Sequence, residues 1–520
     1  MTFSASRRHC RCFLSVAIFA TLFFSAPENA AAADDDASAP GPVANPVPDD
    51  NPYAAAIAAW NALPAEQRSR LQQTSEKQVS PDPPQPSRQG RGLFPPSPPP
   101  PSFAQLAADP TTSAVLQTIG QALRNGGEAR SVDWGVNMNQ NPENIVFEHV
   151  GDARAFAYIA LAQADSLVAN DPQTAVTLAA DVFALSRHVS ETNTLITSIT
   201  QAALDGVATR WLASRLPELP AQAVSELQRR MENLPEGGRW SACFPNEKRY
   251  AEAFLDRIVG LAALTPAEDS DRSAKTLRMA GLLGEGDNVS ISLETADGSF
   301  WLKTGQTLHG VRLVNVDIKK QQALLSYEGR LVQLQLESRK LVDLDTIRVT
   351  LSEDDPLRKM VEMLSGSEPA PLPETLAQWV SVYQEITDYY DALAARFDAF
   401  DFDDTTALHN RLSEQAKTLT MHMTMLQRFA AAGKIREAQL AAALDAAVAG
   451  KLPSGVSDPV TQKTFRIIPE KTPDGAENAG TGGVAANAAK TGYVIESDFI
   501  PSTHRPDPVR LVVGRVAVEP

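Results

Sequence analysis

Asp401-Phe402-Asp403-Asp404-Thr405 is the string in this chain whose residue types and spacing come nearest to chemistry. Two carboxylates one residue apart, followed by a hydroxyl, can carry phosphoryl transfer. The first aspartate attacks phosphorus, the second moves the proton, and both bind Mg²⁺. That reaction needs the pair at the C-terminal end of a strand. The residues before it, Ile386 to Phe397, recur instead with a helical period and include no apolar strand. Acidic residues just ahead of a helix also complement the positive end of its dipole. Asp401 and Asp403 therefore have two readings, a Mg²⁺-dependent phosphatase-like pair or the start of a helix, and the context favours the second.

Other reactive side chains are scattered. Cys243 lies between Trp240 and Phe244, which favours a buried thiol over a catalytic one, since no local histidine signature accompanies it. His188 falls on a helix, His309 in a turn and His422 between Met421 and Met423. The last could suggest soft-metal binding, but Met423 already fits an apolar helical stripe. Glu247 could be a buried acid or could pair with Lys248 or Arg249. Gly284-Glu285-Gly286-Asp287 lacks the third glycine of a dinucleotide loop. No G-x-S-x-G, H-E-x-x-H or C-x-x-C is present. No catalytic residue, metal or cofactor is assigned on these grounds.

The elements around these residues follow from patterning. Arg7, Arg8 and Arg11 precede the apolar run Phe13 to Ala26, and Ala31 and Ala33 offer a cleavage site before Asp34, so 1–33 reads as a secretory signal. Cys10 and Cys12 leave with it, and Cys243 alone cannot form an intramolecular disulfide. The formal charge of −16 becomes more negative on cleavage, which argues against nucleic acid or anionic lipid as the main partner. No later stretch is apolar for long enough to span a bilayer, so no membrane insertion is expected after signal removal.

Residues 34–102 read as a proline-rich linker with a short helix over 53–73, interrupted near Pro64. Residues 103–284 read as a helical-hairpin domain, tetratricopeptide-like in style. One face carries Phe156, Ile159, Ala160 and Ala164, the next Val176, Ala179, Ala180 and Phe183, and a third Ile196, Ile199, Ala203, Val207 and Trp211. Asp171-Pro172 supplies an N-cap and a first helical residue. Over 285–350 the period changes to two, as in Val289, Ile291 and Leu293, which predicts a small antiparallel β domain. Residues 351–450 read as a second helical hairpin, Leu376–Phe397 and Leu408–Ala430. Residues 451–520 read as a C-terminal β cap with a loose Gly/Ala/Asn-rich stretch at 473–490.

Three motifs resemble a group of exported helical proteins of planctomycete-type bacteria: Asn51-Pro52-Tyr53 through Trp60-Asn61-Ala62-Leu63-Pro64, then Val132-Asp133-Trp134-Gly135, then Leu452-Pro453 followed by Ser457-Asp458-Pro459-Val460-Thr461-Gln462-Lys463. The resemblance implies a secreted α-helical protein with a small C-terminal β cap, and it implies no activity. Gly305 to Val311 and Leu324 to Arg330 are similar to the small periplasmic β domain of type II secretion and type IV pilus-assembly accessory proteins. The Asp401 string is similar to the nucleophile motif of haloacid-dehalogenase-type phosphatases, but the downstream lysine and paired aspartates of that family are not found.

The expectation is a mainly α protein with an inserted small β domain and a C-terminal β cap. Its expected function is a non-enzymatic exported scaffold or protein-interaction module in the cell envelope, periplasmic or extracellular. The alternatives are a secretion or pilus-assembly accessory, or a phosphatase-like hydrolase using Asp401 and Asp403.

Overall fold

The computed structural model describes residues 47–80, 101–137, 145, 147–251, 277–283, 289–295, 298–308, 311–318, 320–327, 330–336, 342–343, 348–349, 358, 372–420, 422–469, 492–502 and 507–514. The expected signal sequence, His309, Gly284-Glu285-Gly286-Asp287 and the 473–490 stretch lie outside these residues. The described chain is mainly helical, with small antiparallel sheets in mid-chain and a further sheet at the C-terminal end.

In chain order the helices are α1 (Ala54–Ala62), α2 (Ala65–Val79), α3 (Phe103–Ala107), α4 (Pro110–Glu128), α5 (Glu148–Leu167), α6 (Pro172–Val189), α7 (Leu195–Arg215) and α8 (Ala221–Met231). The strands β1 (Arg278–Leu283), β2 (Ser290–Thr295), β3 (Gly298–Lys303), β4 (Thr307–Leu308), β5 (Val311–Asp317), β6 (Gln322–Tyr327), β7 (Arg330–Gln335) and β8 (Val342–Asp343) follow. Then come α9 (Leu376–Arg396), α10 (Phe402–Asn410), α11 (Glu414–Leu419), α12 (Met423–Ala449), β9 (Arg466–Pro469), β10 (Tyr493–Glu496) and β11 (Arg510–Val513). Two compact units result. A helical unit is built from residues 19–247, 393–406 and 423–520, and a second unit includes 248–392 and 407–422.

In the helical unit α6 is central and packs against α4, α5, α7 and α8. It is buried on every side, from Ala175 and Val176 to Phe183, Leu185 and Val189, as a helix at the middle of a core must be. Alanines at 153, 155, 157, 160, 162 and 164 let α5 approach its neighbours closely. Asp171 caps α6 by accepting from the Thr174 N–H at 3.1 Å, with Pro172 at the first position, as expected. On α7 the expected face needs a correction: Ala203 is exposed, and Leu204 and Ala208 are buried beside Val207 and Trp211. The helix over 53–73 is also more than a linker element. It forms α1 and α2, separated at Pro64, and buries Tyr53, Trp60, Leu63 and Leu71 in the core of the helical unit.

The C-terminal sheet, in the order β11-β10-β9, turns Tyr493, Ile495, Leu511 and Val513 into the same core. Gln439 of α12 ties it down by donating to the carbonyls of Ile495 (3.0 Å) and Val509 (3.1 Å). Asp458 organises the turn before β9, accepting from the N–H groups of Val460 (2.7 Å) and Thr461 (2.9 Å) and from the Ser497 hydroxyl. The Asp-Pro-x-Thr motif is thus an Asx turn joined to the cap.

The second unit contains the sheets β1-β2-β3 and β4-β5-β6-β7-β8, all neighbours antiparallel, with a parallel bridge from Met279 to Leu336. Met279, Ile291, Leu293, Leu302, Leu313, Leu325 and Leu334 share one core, which is the two-residue period in physical form. The unit starts earlier than residue 285. β1 falls inside the 103–284 stretch assigned to the helical-hairpin domain, yet Leu277 just before it and Met279 within it are buried and alternate with less buried neighbours, and a register shift at Gly281 interrupts the pattern.

The single helix expected over Leu408–Ala430 is three pieces, the end of α10, α11, and the start of α12. Leu412, Ala416, Met423, Leu426 and Ala430 are buried as their spacing requires. The chain nevertheless restarts at Ser413, which caps α11 through the Ala416 N–H, and it becomes extended at Thr420.

Candidate functional site

The residues singled out for chemistry are occupied by local structure. Asp401 Oδ1 accepts from the Asp404 N–H at 3.0 Å, which makes it the cap of α10, and Asp404 pairs with Arg396 at 3.0 Å. The preceding residues are a 3₁₀ turn, Phe397–Ala399, followed by Phe400 with φ of 55°. No strand tip carries Asp401, and Asp403 is exposed on the helix. Glu247 does not pair with Lys248 or Arg249. It accepts from the Leu195 N–H at 2.9 Å at the start of α7, and burial pushes its carboxyl up to about 7. Cys243 is fully buried against Ser198 Oγ at 3.0 Å, and burial pushes its thiol up to about 12.

His188 is a core residue. Its Nε2 lies 3.2 Å from the Ala129 carbonyl, so Nε2 carries the proton and Nδ1 accepts from the Tyr53 hydroxyl at 2.9 Å. Trp134 stacks on Tyr53 (5.2 Å between centroids) and on His149 (4.8 Å), and it donates to the His188 carbonyl at 2.9 Å. Asn51 bridges the Tyr53 N–H and the Asp133 carbonyl. The Asn-Pro-Tyr and Asp-Trp-Gly motifs are therefore two halves of one buried polar web. In the second unit the His409 and His422 rings lie 4.3 Å apart, each with a buried Nδ1 that lacks a hydrogen-bond partner among the described residues. Among those residues no group of three His, Cys, Asp or Glu side chains could hold a metal ion.

The feature that sequence reasoning missed is a half-open cleft of about 60 Å³ in the helical unit, formed by α6, α7 and α12 with Met231 and Trp240 at its side. Gly206 of α7 and Gly433 of α12 both line it, and at Gly433 a Cβ would meet nothing within 4 Å. Phe183, Met231, Trp240 and Leu440 give it an apolar wall. Trp240 is fixed by stacking on Phe397 at 6.0 Å and by edge contact with Phe429 at 6.3 Å.

Its rim is charged. Asp205 is satisfied by Ser186, Gln201 and Arg187, although burial raises its carboxyl above the ordinary range. Arg187 also reaches Glu437 at 3.2 Å, and Lys434 lies 3.5 Å from the same carboxylate. Arg436 lines the cleft without an acidic partner among the described residues. Burial, and then the like charge of Arg210, lower its guanidinium below its ordinary range. Arg210 is exposed on α7 and does not line the cleft, although its Nη1 stands 3.5 Å from where a Cβ on Gly206 would be, and it too has no acidic partner among the described residues. Neither arginine has an acid three or four positions away on its own helix. Residues 206, 207, 213 and 214, and 432, 433, 439 and 440, are all uncharged. That is the sequence signal that could have found them.

A half-buried guanidinium beside an apolar wall can hold an anion by charge-assisted hydrogen bonds in a partly dry setting. No family model matches the chain, and neither a curated protein nor a solved structure matches it.

Proposed function

We propose that this chain is an exported, non-enzymatic scaffold of the cell envelope that binds protein partners through its helical unit. The observation that carries the reading is Arg436, half-buried and without an acidic partner among the described residues, at a cleft with an aromatic and aliphatic wall. Holding the Arg436 guanidinium half-buried and unpaired costs stability in the free protein, and a bound partner carrying negative charge removes that cost. The chemistry-bearing residues support the same reading, because Asp401, Glu247 and Cys243 each have a structural task.

Cross-linked capture from an envelope fraction tests it, with wild type compared against Gly433→Leu. That substitution places a side chain in open space within the cleft. Partners captured by the wild type and lost in a variant of unchanged helicity would support the reading. An identical partner set for both proteins would contradict it.

A second reading, an accessory of a secretion or pilus-assembly system, is favoured by one feature of the β-containing unit. Trp301 and Leu283 are 52% and 66% exposed on its three-stranded sheet, and Trp301 lies over Gly281. Capture that survives Gly433→Leu and is lost in Trp301→Ser would favour this alternative. The phosphatase reading has the least support, since it needs Asp401 and Asp403 at a strand end. Phosphate-ester hydrolysis that is Mg²⁺-dependent and lost in Asp401→Asn would restore it.

A further inference from the structure

We propose that His409 and His422 form a two-imidazole site for a late first-row divalent cation, Cu²⁺ ahead of Zn²⁺, held through their Nδ1 atoms. The site goes beyond the scaffold reading, since it belongs to the β-containing unit and makes no use of the cleft.

The two histidines come together from either side of α11 in sequence. His409 stands in the last turn of α10, and His422 follows α11, just before α12 starts. Their rings lie 4.3 Å apart between centroids, tilted by 49°. His409 is 7% exposed, with the buried Tyr389 ring 6.0 Å away, whereas His422 is half-buried and so offers a way in from solvent. Each ring keeps a buried Nδ1 with no hydrogen-bond partner among the described residues. One such orphan is costly, and two of the same kind side by side call for one partner that serves both. With the proton on Nε2, each Nδ1 presents a lone pair and neither can donate to the other. A single cation takes both lone pairs at once.

The donor set and the spacing select the ion. Imidazole suits Cu²⁺ and Zn²⁺ rather than Mg²⁺ or Ca²⁺, and Cu²⁺ is held more tightly than Zn²⁺. Two metal–nitrogen bonds of about 2 Å meeting near a right angle, as in tetragonal Cu²⁺, place ring centres roughly 4.5 Å apart. The observed separation of 4.3 Å is close to that. Glu414 and Lys417 are the charged groups whose fields reach His409, and they pair with each other at 2.8 Å, so their charges offset. Among the described residues no third His, Cys, Asp or Glu completes a set. The remaining positions fall to water or a small external ligand, which makes the bound ion exchangeable.

Titration of the purified full-length chain with Zn²⁺, followed by ¹⁵N NMR of the imidazoles, tests the assignment in wild type. The Nδ1 signals of His409 and His422 should shift together and saturate at a single Zn²⁺ per chain, with those of His149 and His188 unchanged. Cu²⁺ should bind more tightly than Zn²⁺, and Mg²⁺ in roughly tenfold excess should displace neither. The double variant His409→Gln/His422→Gln should weaken Cu²⁺ binding roughly tenfold or more while its thermal melt stays cooperative. Added Zn²⁺ should raise the melting temperature of wild type and not of that variant.

Signals of both rings that stay still in excess Zn²⁺ would overturn the assignment and leave a trapped water as the partner of the pair. Movement of one ring without the other would overturn the shared site. Equal Cu²⁺ affinity in a folded glutamine variant, or displacement by Mg²⁺, would overturn it as well. Where the variant loses its cooperative melt, the wild-type NMR titration decides alone.

Discussion

Tyr53 and His188, 135 residues apart in sequence, meet at 2.9 Å through the tyrosine hydroxyl and the imidazole Nδ1. Both side chains are fully buried, and Trp134 stacks on Tyr53 while donating to the His188 backbone. The Tyr53–His188 bond thus joins the segment before α1 to α6, and Trp134 ties the Asp-Trp-Gly strip to both. Tyr53→Phe keeps the ring and removes the hydroxyl, leaving Nδ1 unsatisfied in the core. Destabilisation of about 1–3 kcal/mol is expected in a denaturant titration. A change below a few tenths of a kcal/mol would show that the bond does not hold these segments.

The same web fixes a pH dependence. Burial lowers His188 to about 4 and His149 to about 3, against an ordinary value of 6.5. Between those values and 6.5 the unfolded chain binds protons that the folded chain refuses. The stability contributed by these neutral imidazoles is present above pH 6.5 and is lost as pH falls toward 4. Asp181, raised to about 7 mainly by burial, acts with the opposite sign, since its contribution is lost as pH rises through 7. A site-resolved measurement separates the two. The ring signals of His188 and His149 in NMR spectra should stay flat from pH 8 to 5, and a titration midpoint near 6.5 for either would contradict the web.

Gly126 and Gly127 end α4 against this web. An added Cβ at Gly126 would stand 2.1 Å from the Tyr53 hydroxyl oxygen, and one at Gly127 would stand 2.5 Å from Asp181 Oδ1. Gly126→Ala must therefore displace a buried ring that is itself stacked and hydrogen-bonded. A loss of about 1–3 kcal/mol is expected from overpacking, despite the better helix propensity of alanine. A stabilised variant in a thermal melt would contradict the packing.

Asp401 separates a helix cap from a catalytic nucleophile. Asparagine caps as well as aspartate does, so Asp401→Asn should leave stability within about 0.5 kcal/mol, whereas Asp401→Ala should cost about 1 kcal/mol. A catalytic role predicts the reverse emphasis: lost turnover in Asp401→Asn with stability intact.

Much of the fold is legible from spacing, because burial imposes a period of 3.6 on helices and of 2 on strands. Phe156, Val176 and Ile291 are buried as their patterns require. Where the pattern misled, a local interaction had overridden it. Ser413 caps and restarts a helix inside a continuous apolar stripe, and Gly281 with its register shift interrupts the alternation of β1. The role of His188 depends on Tyr53 and Ala129, partners distant in sequence that no local pattern encodes. The cleft was hidden for the same reason. Gly206 and Gly433 are far apart in sequence, and only when α7 and α12 are placed side by side do both line it.

The cleft itself is best interrogated at Trp240, which lines it, whereas Trp60 and Trp134 are buried elsewhere in the core and Trp301 is exposed on the β-containing unit. Indole N–H signals of the purified chain can be followed by NMR while a captured envelope partner is added. The Trp240 signal should move saturably in wild type and stay still in Gly433→Leu, with Trp60, Trp134 and Trp301 unchanged throughout. A saturable shift at Trp301 with Trp240 unmoved would place recognition on the β-containing unit and contradict the helical cleft as the binding site.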